Sequence, residues 1–306
     1  MSETERPERL VTTGWALYQA GNRRGALRDF RAALAIDPDN PEALVGLSQA
    51  QIALGMLSDA AGTADRLLQL APDMAQAHRI RGEVLRRQRK LAPAQKYVEE
   101  SIRLNPDEAL GYHYLAVIQF EQKHYARALK TVEQGRRVAP WYGVLAAQKA
   151  LILLHYKGPK AAEPFADEAL RLSPDETYVM TEAARVALMR GKLEKAHDLL
   201  EVVLRRDAND EDAISLFLLT EPNRYRLLRA NAQFQFWRKG YGVVGWLAWL
   251  LVWAVLFAVL IVVALAGRVP AFVVAVAYQL FWRLQYAGHR KRVRAHFTQA
   301  QLKPGY

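Results

Sequence analysis

Residues 26–40 read ALRDFRAALAIDPDN, and residues 60–74 read AAGTADRLLQLAPDM. The second stretch lies 34 positions after the first and keeps its alanine at the start and its proline third from the end. Further steps of 34 give Pro106, Pro140 and Pro174 after Pro38 and Pro72, and Ala94, Ala128, Ala162 and Ala196 after Ala26 and Ala60. No insertion breaks the register, and the step after Pro174 lands on Ala208. Self-similarity sustained at this length marks a solenoid. Each unit is one helical hairpin, too small to bury its apolar face except against its neighbours.

With Pro38 at position 32, the repeats run 7–40, 41–74, 75–108, 109–142, 143–176 and 177–210. Repeat one then carries Gly14 at position 8, Leu17 at 11, Gly21 at 15, Ala26 at 20, Phe30 at 24 and Ala33 at 27. Repeat two follows with Leu44, Leu47, Gly55, Ala60 and Leu67, and the later repeats with Gly82, Leu85, Leu115, Ala116, Ala150, Leu153, Ala184 and Leu200. Small residues at 8 and 20 let the two helices of a hairpin approach, and large apolar ones at 4, 7, 11 and 24 fill the space between helices. The residue before each proline is biased away from the helical region, so the second helix ends there. Asn40, or Asn209 and Asp210 where repeat six lacks the proline, can cap the next helix. Two departures are expected to weaken individual contacts without changing the assignment: Trp15 falls at position 9 rather than 4, and polar Lys149 occupies position 7 of repeat five.

This pattern resembles the tetratricopeptide repeat family over about two-thirds of the chain. The fold expected is all-α: a right-handed superhelical solenoid of helix–turn–helix repeats over 1–210, followed by a two-helix transmembrane hairpin.

The hairpin is read from a change of solvent late in the chain. Residues 211–239 hold a capping helix, broken by Pro222, and an amphipathic stretch from Tyr225 to Lys239. That stretch fits a membrane surface or the end of the solenoid equally well. Residues 240–267 carry no charge, nor do 270–282, and Arg268 and Pro270 lie at the reversal between them. A span of about 20 apolar residues crosses a bilayer, so residues 240–288 are expected to form a transmembrane hairpin. In it, Ala254 with Ala258 and Ala271 with Ala275 form small-x-x-x-small pairs suited to close helix packing. Eleven Lys or Arg flank the pair of helices, and only Arg268 lies between them. The positive-inside rule then puts both termini in the cytosol, with residues 289–306 as a basic tail. The Ala- and Arg-rich composition suggests a bacterial source, hence the inner membrane. The N-terminal MSETERPERL has no apolar core, so no cleaved signal peptide is expected.

Residues 240–306 hold seven of the 42 basic residues and none of the 31 acidic ones. The chain's net charge of +11 therefore sits mainly there, and the near-balanced repeats are not expected to bind nucleic acid. The absence of cysteine excludes disulfides, thiolate metal sites and a cysteine nucleophile. No phosphate-binding glycine loop, metalloprotease helix or nucleophile elbow occurs, and the seven histidines are scattered through the register. No enzyme activity and no cofactor are expected.

The family resemblance implies that positions 2, 5, 9, 12 and 13 of each first helix line a concave groove and face solvent in the free array. These positions make the groove aromatic, with Trp15, Tyr18 and Phe120, and give it one basic island of Arg79, Arg86 and Arg87. A protein or peptide partner carrying an acidic group is expected there. Some family members clamp a chaperone's C-terminal carboxylate, but the clamp positions here hold Val11, Trp15, Gly46, Gln76 and Ile80, so that mode is not expected. The function expected is a membrane-anchored interaction scaffold that recruits a partner to the cytosolic face. The alternative is an accessory or assembly subunit that docks an integral membrane partner through the hairpin, with lipid as the other contact.

Overall fold

A computed structural model describes residues 7–220 together with 287, 288, 290, 291 and 293–298. The helices keep the sequence register. They are α1 (Pro7–Gln19), α2 (Arg23–Ile36), α3 (Pro41–Ala53), α4 (Leu57–Leu70), α5 (Ala75–Arg87), α6 (Leu91–Leu104) and α7 (Ala109–Glu121), followed by α8 (Tyr125–Val138), α9 (Gly143–Tyr156), α10 (Pro159–Leu172), α11 (Thr177–Met189), α12 (Leu193–Arg206) and α13 (Glu211–Thr220). The chain divides into two bodies, residues 1–182 and 183–306. In the first body α1 packs on α2, α3 on α4, α5 on α6, α7 on α8 and α9 on α10, so each repeat is a hairpin. The first helices also pack on one another in succession, from α1 to α9, and form one layer.

The second helices bury the same three positions each time. These are Ala26, Phe30 and Ala33 in α2, Ala94, Val98 and Ser101 in α6, and Ala162, Ala166 and Ala169 in α10. In the second body α12 buries Ala196, Leu200 and Val203 at the same register. Spacing of four and three keeps them on one helical face. Size at the middle position is matched by its neighbours. A Cβ added at Gly14 would lie 2.7 Å from Phe30 Cε1, and one at Gly46 would lie 2.3 Å from the same atom. Phe30 therefore fits only because two glycines face it.

Helix starts and turns follow local chemistry. The side chains of Asn22, Asn40 and Asp210 accept hydrogen bonds from the backbone N–H groups of Gly25, Ala43 and Ala213, at 3.0, 3.0 and 2.9 Å. Asp210 thus caps α13 where repeat six has lost its proline. Position 15 turns the chain between helices with positive φ: 77° at Gly21, 74° at Gly55 and 77° at Gly191. Repeats three and four place Arg89 and Lys123 there, at 63° and 64°.

Two expectations need correction. Position 11 is apolar in repeats one, three and five, but holds Gln51 and Gln119 in repeats two and four. Each amide oxygen accepts a hydrogen bond from the hydroxyl at position 23 of its own hairpin: Thr63 at 2.9 Å and Thr131 at 2.8 Å. Nor is Lys149 a weakened contact. Its ammonium pairs with Glu133 and sits 3.8 Å from the centroid of the Phe165 ring. Among the described residues no helix is long and apolar enough to cross a membrane. The amphipathic stretch at 225–239 lies outside the described residues, as does the hairpin expected over 240–288 apart from its last two positions.

Candidate functional site

The layer of first helices in the first body brings distant repeats onto one face. On α5, Arg79, Glu83, Arg86 and Arg87 recur at spacings of three and four, so helical geometry places them together. The Glu83 carboxylate accepts from Arg86 Nε at 2.6 Å, Arg86 Nη2 at 2.7 Å and Arg87 Nε at 2.8 Å. Burial alone would raise its pKa. The hydrogen bonds and charges of Arg86 and Arg87 outweigh burial and hold it below the ordinary value. Arg86 also donates to Glu121 at the end of α7. Burial disfavours its charge, but Glu83 and Glu121 more than compensate and raise its pKa. Arg79, whose side chain is 7% exposed, donates from Nη2 to Glu108 at 3.2 Å and lies over the Tyr114 ring at 5.6 Å.

These pairs correct the open basic island. Arg79 and Arg86 are largely buried and carry their own counter-ions, Glu83, Glu108 and Glu121, and Arg87 is the exposed member of the three. The inward positions are thus not simply solvated. The signal was present in the sequence: Glu83 stands three and four residues before Arg86 and Arg87, and Glu121 takes position 13 of the next repeat beside Arg86 at position 12.

An aromatic chain continues from Arg79. His113 meets Tyr114 at 5.4 Å between centroids and Tyr178 at 5.3 Å, both edge-on. The Tyr178 hydroxyl donates to Gln148 Oε1. Burial pushes the His113 pKa down to about 4, so the ring is neutral at pH 7. Burial also raises Tyr18 and Tyr114, and Tyr142 to about 12, so all three remain phenols. Along this path Arg79 Nε, His113 Nδ1 and Gln148 Nε2 are buried without a hydrogen-bond partner among the described residues. Such groups are costly to leave unmet, at about 1–3 kcal/mol each.

The six residues read from the sequence divide between this site and the core. Tyr18 lies within electrostatic reach of Glu83 and Arg87, so it joins Arg79, Arg86 and Arg87 in one neighbourhood. Trp15 packs edge-on against Phe30 at 5.2 Å and Tyr18 at 5.9 Å, as part of the first repeat's core. Phe120 sits apart, against Tyr125 at 5.6 Å and His155 at 5.1 Å. Tyr114, Tyr142 and Gln148 were missed because they hold positions 6 and 34, outside the five assigned to the groove. His113 holds groove position 5, but its depressed pKa depends on a fold-dependent enclosure. Among the described residues no group of three or more His, Cys, Asp or Glu is arranged to hold a metal ion.

A tetratricopeptide repeat family model matches residues 17–84 and 153–216, and a second matches 81–137. The chain belongs to the tetratricopeptide repeat family. The tetratricopeptide array is 32% identical, over 111 residues, to cellulose synthase operon protein C of Xanthomonas axonopodis pv. citri (strain 306), covering 32% of this chain and 7% of that protein. Among solved structures, a chain of the APC/C hetero-tetramer Cut9-Hcn1 superposes with a TM-score of 0.56 at 18% identity, over 72% of this chain and 44% of that one. Pseudomonas aeruginosa pilF gives a TM-score of 0.47 at 16% identity, over 70% and 97%. The chain spans less than half the length of the first two relatives. At these identities the structural likeness concerns the fold.

Proposed function

We propose that this chain is a membrane-anchored scaffold that recruits a protein partner to the cytosolic face by holding an extended segment of it against the first-helix layer. Tetratricopeptide arrays serve protein–protein interaction, and this reading adds the site and the tether. The observation that carries it is the half-buried ring set of His113, Tyr114 and Tyr178 on a layer that also presents exposed Arg87. An extended peptide presents backbone carbonyls at regular spacing and side chains that lie on aromatic rings. Because Arg79 and Arg86 are already neutralised, selectivity rests on aromatic surface more than on net positive charge. Exposed Arg87 remains to meet an acidic side chain at the rim.

The tether in this reading is the uncharged 240–267 and 270–282 pair with its basic flanks, and it places both termini in the cytosol of a bacterial cell, at the inner membrane. No step of the reading involves chemistry on a substrate. The test is affinity purification of the full chain in mild detergent, comparing wild type with Arg87→Glu and His113→Gln, each checked by thermal unfolding. A partner recovered by wild type and lost from folded variants is expected. Equal recovery by all three sinks the groove assignment. The paired alanines at 254 and 258, and at 271 and 275, favour a second reading, an accessory subunit docked through the hairpin. There, recovery would follow substitutions at those alanines instead. Release of the protein by alkaline carbonate would sink the tether in both readings.

A further inference from the structure

Within the second body the last helix of the array has a partner from far along the chain. Residues 293–298 are helical, and Val293 and Phe297, four apart and therefore on one face, are buried. The Phe297 ring meets Phe217 of α13 edge-on, with centroids 5.5 Å apart and planes at 88°. Phe217 in turn lies 4.6 Å from His197 of α12. Arg290 and Arg294, also four apart, both pair with Glu211 in the first turn of α13.

In the repeat register Glu211 opens a seventh unit, and α13 is its first helix. A terminal helix needs a polar outer face to end a solenoid. Yet α13 is apolar along most of its length, with Ile214, Leu216, Phe217, Leu218 and Leu219 all buried. In the repeat register a second helix would follow to cover it. We infer that helical residues 290, 291 and 293–298 take that place, so that the repeat array closes with a seventh hairpin whose two halves are separated in sequence by residues 221–286. The buried Val293 and Phe297 cover α13, and Arg290 and Arg294 pair with Glu211 at its start. The two ends of the 221–286 segment are thereby held at the same end of the array. Resting on the membrane proposal above, this deepens it: any crossings made between 221 and 286 must be even in number, on grounds independent of flanking charge.

The chain contains no cysteine, so an introduced pair is unique. Full-length Glu211→Cys with Arg294→Cys, in native membranes, is treated with a short bismaleimide and analysed by mass. The expected product has monomer mass and joins the two introduced cysteines, and it disappears when Phe297→Asp is added. No product, or only one of twice the monomer mass, overturns the inference. A monomeric product that persists with Phe297→Asp also overturns it, since the apolar contact would then not hold the helices together. Carbonate extraction of the same sample reads the membrane proposal separately. Cross-linked protein released by carbonate would leave the interrupted hairpin standing and remove the membrane consequence.

Discussion

Arg86 and Glu121 stand 35 residues apart and are hydrogen-bonded, one position out of step in neighbouring repeats. The same guanidinium holds Glu83 through two contacts. One arginine thus bridges two carboxylates on adjacent first helices, and with Arg87 on Glu83 and Arg89 on Glu121 the inner face is an internal ion network before any partner arrives.

Removing Arg86 leaves both carboxylates without their main counter-charge. Breaking such a pair costs roughly 3 kcal/mol when the ions are largely buried. Arg86→Ala should therefore lower the denaturation midpoint clearly, and Arg86→Glu further still. Arg87→Ala, at a half-exposed site, should cost no more than about 1 kcal/mol. Chemical denaturation of the three variants decides this. Equal stability would mean that the network is solvated and energetically idle.

The His113 ring gives the array an acid-sensitive point. Its folded pKa of about 4 lies below the ordinary 6.5, so the unfolded chain takes up the proton more readily. Stability from the neutral ring is complete above pH 6.5 and is lost as pH falls from there towards 4. The loss amounts to about 3 kcal/mol at most. Glu83, whose pKa is lowered, adds its own loss only at more acid pH. His113→Leu should flatten the dependence between pH 6.5 and 4.5, measured as denaturation midpoint against pH. An unchanged slope would place the sensitivity elsewhere.

The buried Gln119–Thr131 pair should behave as a unit. Thr131→Val strands the amide oxygen and should cost about 1–3 kcal/mol. Adding Gln119→Leu restores the apolar residue found at position 11 in other repeats and should recover most of the loss. A double-mutant cycle measures the coupling, and strictly additive effects would contradict it.

Lys123 is held at a φ of 64° on the surface. An L-residue there carries about 1–2 kcal/mol of strain. Lys123→Gly should raise stability by up to about 1 kcal/mol after the greater freedom of unfolded glycine is allowed for. A lower melting temperature in calorimetry would rule this out.

By itself the sequence determined the hairpins, their register and their caps. Each of these is written within one 34-residue unit: the proline that ends a helix, the Asn or Asp that starts the next, and the small residues that let helices meet. Gly14 opposite Phe30 was visible as small and large residues at set positions, although the second glycine, Gly46, is evident only in the packing. Tertiary structure decided whatever depends on pairs between units or on burial. The charges of Arg79 and Arg86 were legible, but the burial of both and the closing of the Arg79–Glu108 and Arg86–Glu121 pairs required the folded array. His113 was one scattered histidine until the fold surrounded it with Tyr114 and Tyr178. Phe297 gave no periodic signal at all, because its partner Phe217 lies beyond the reach of any local pattern and only chain return brings the two rings together.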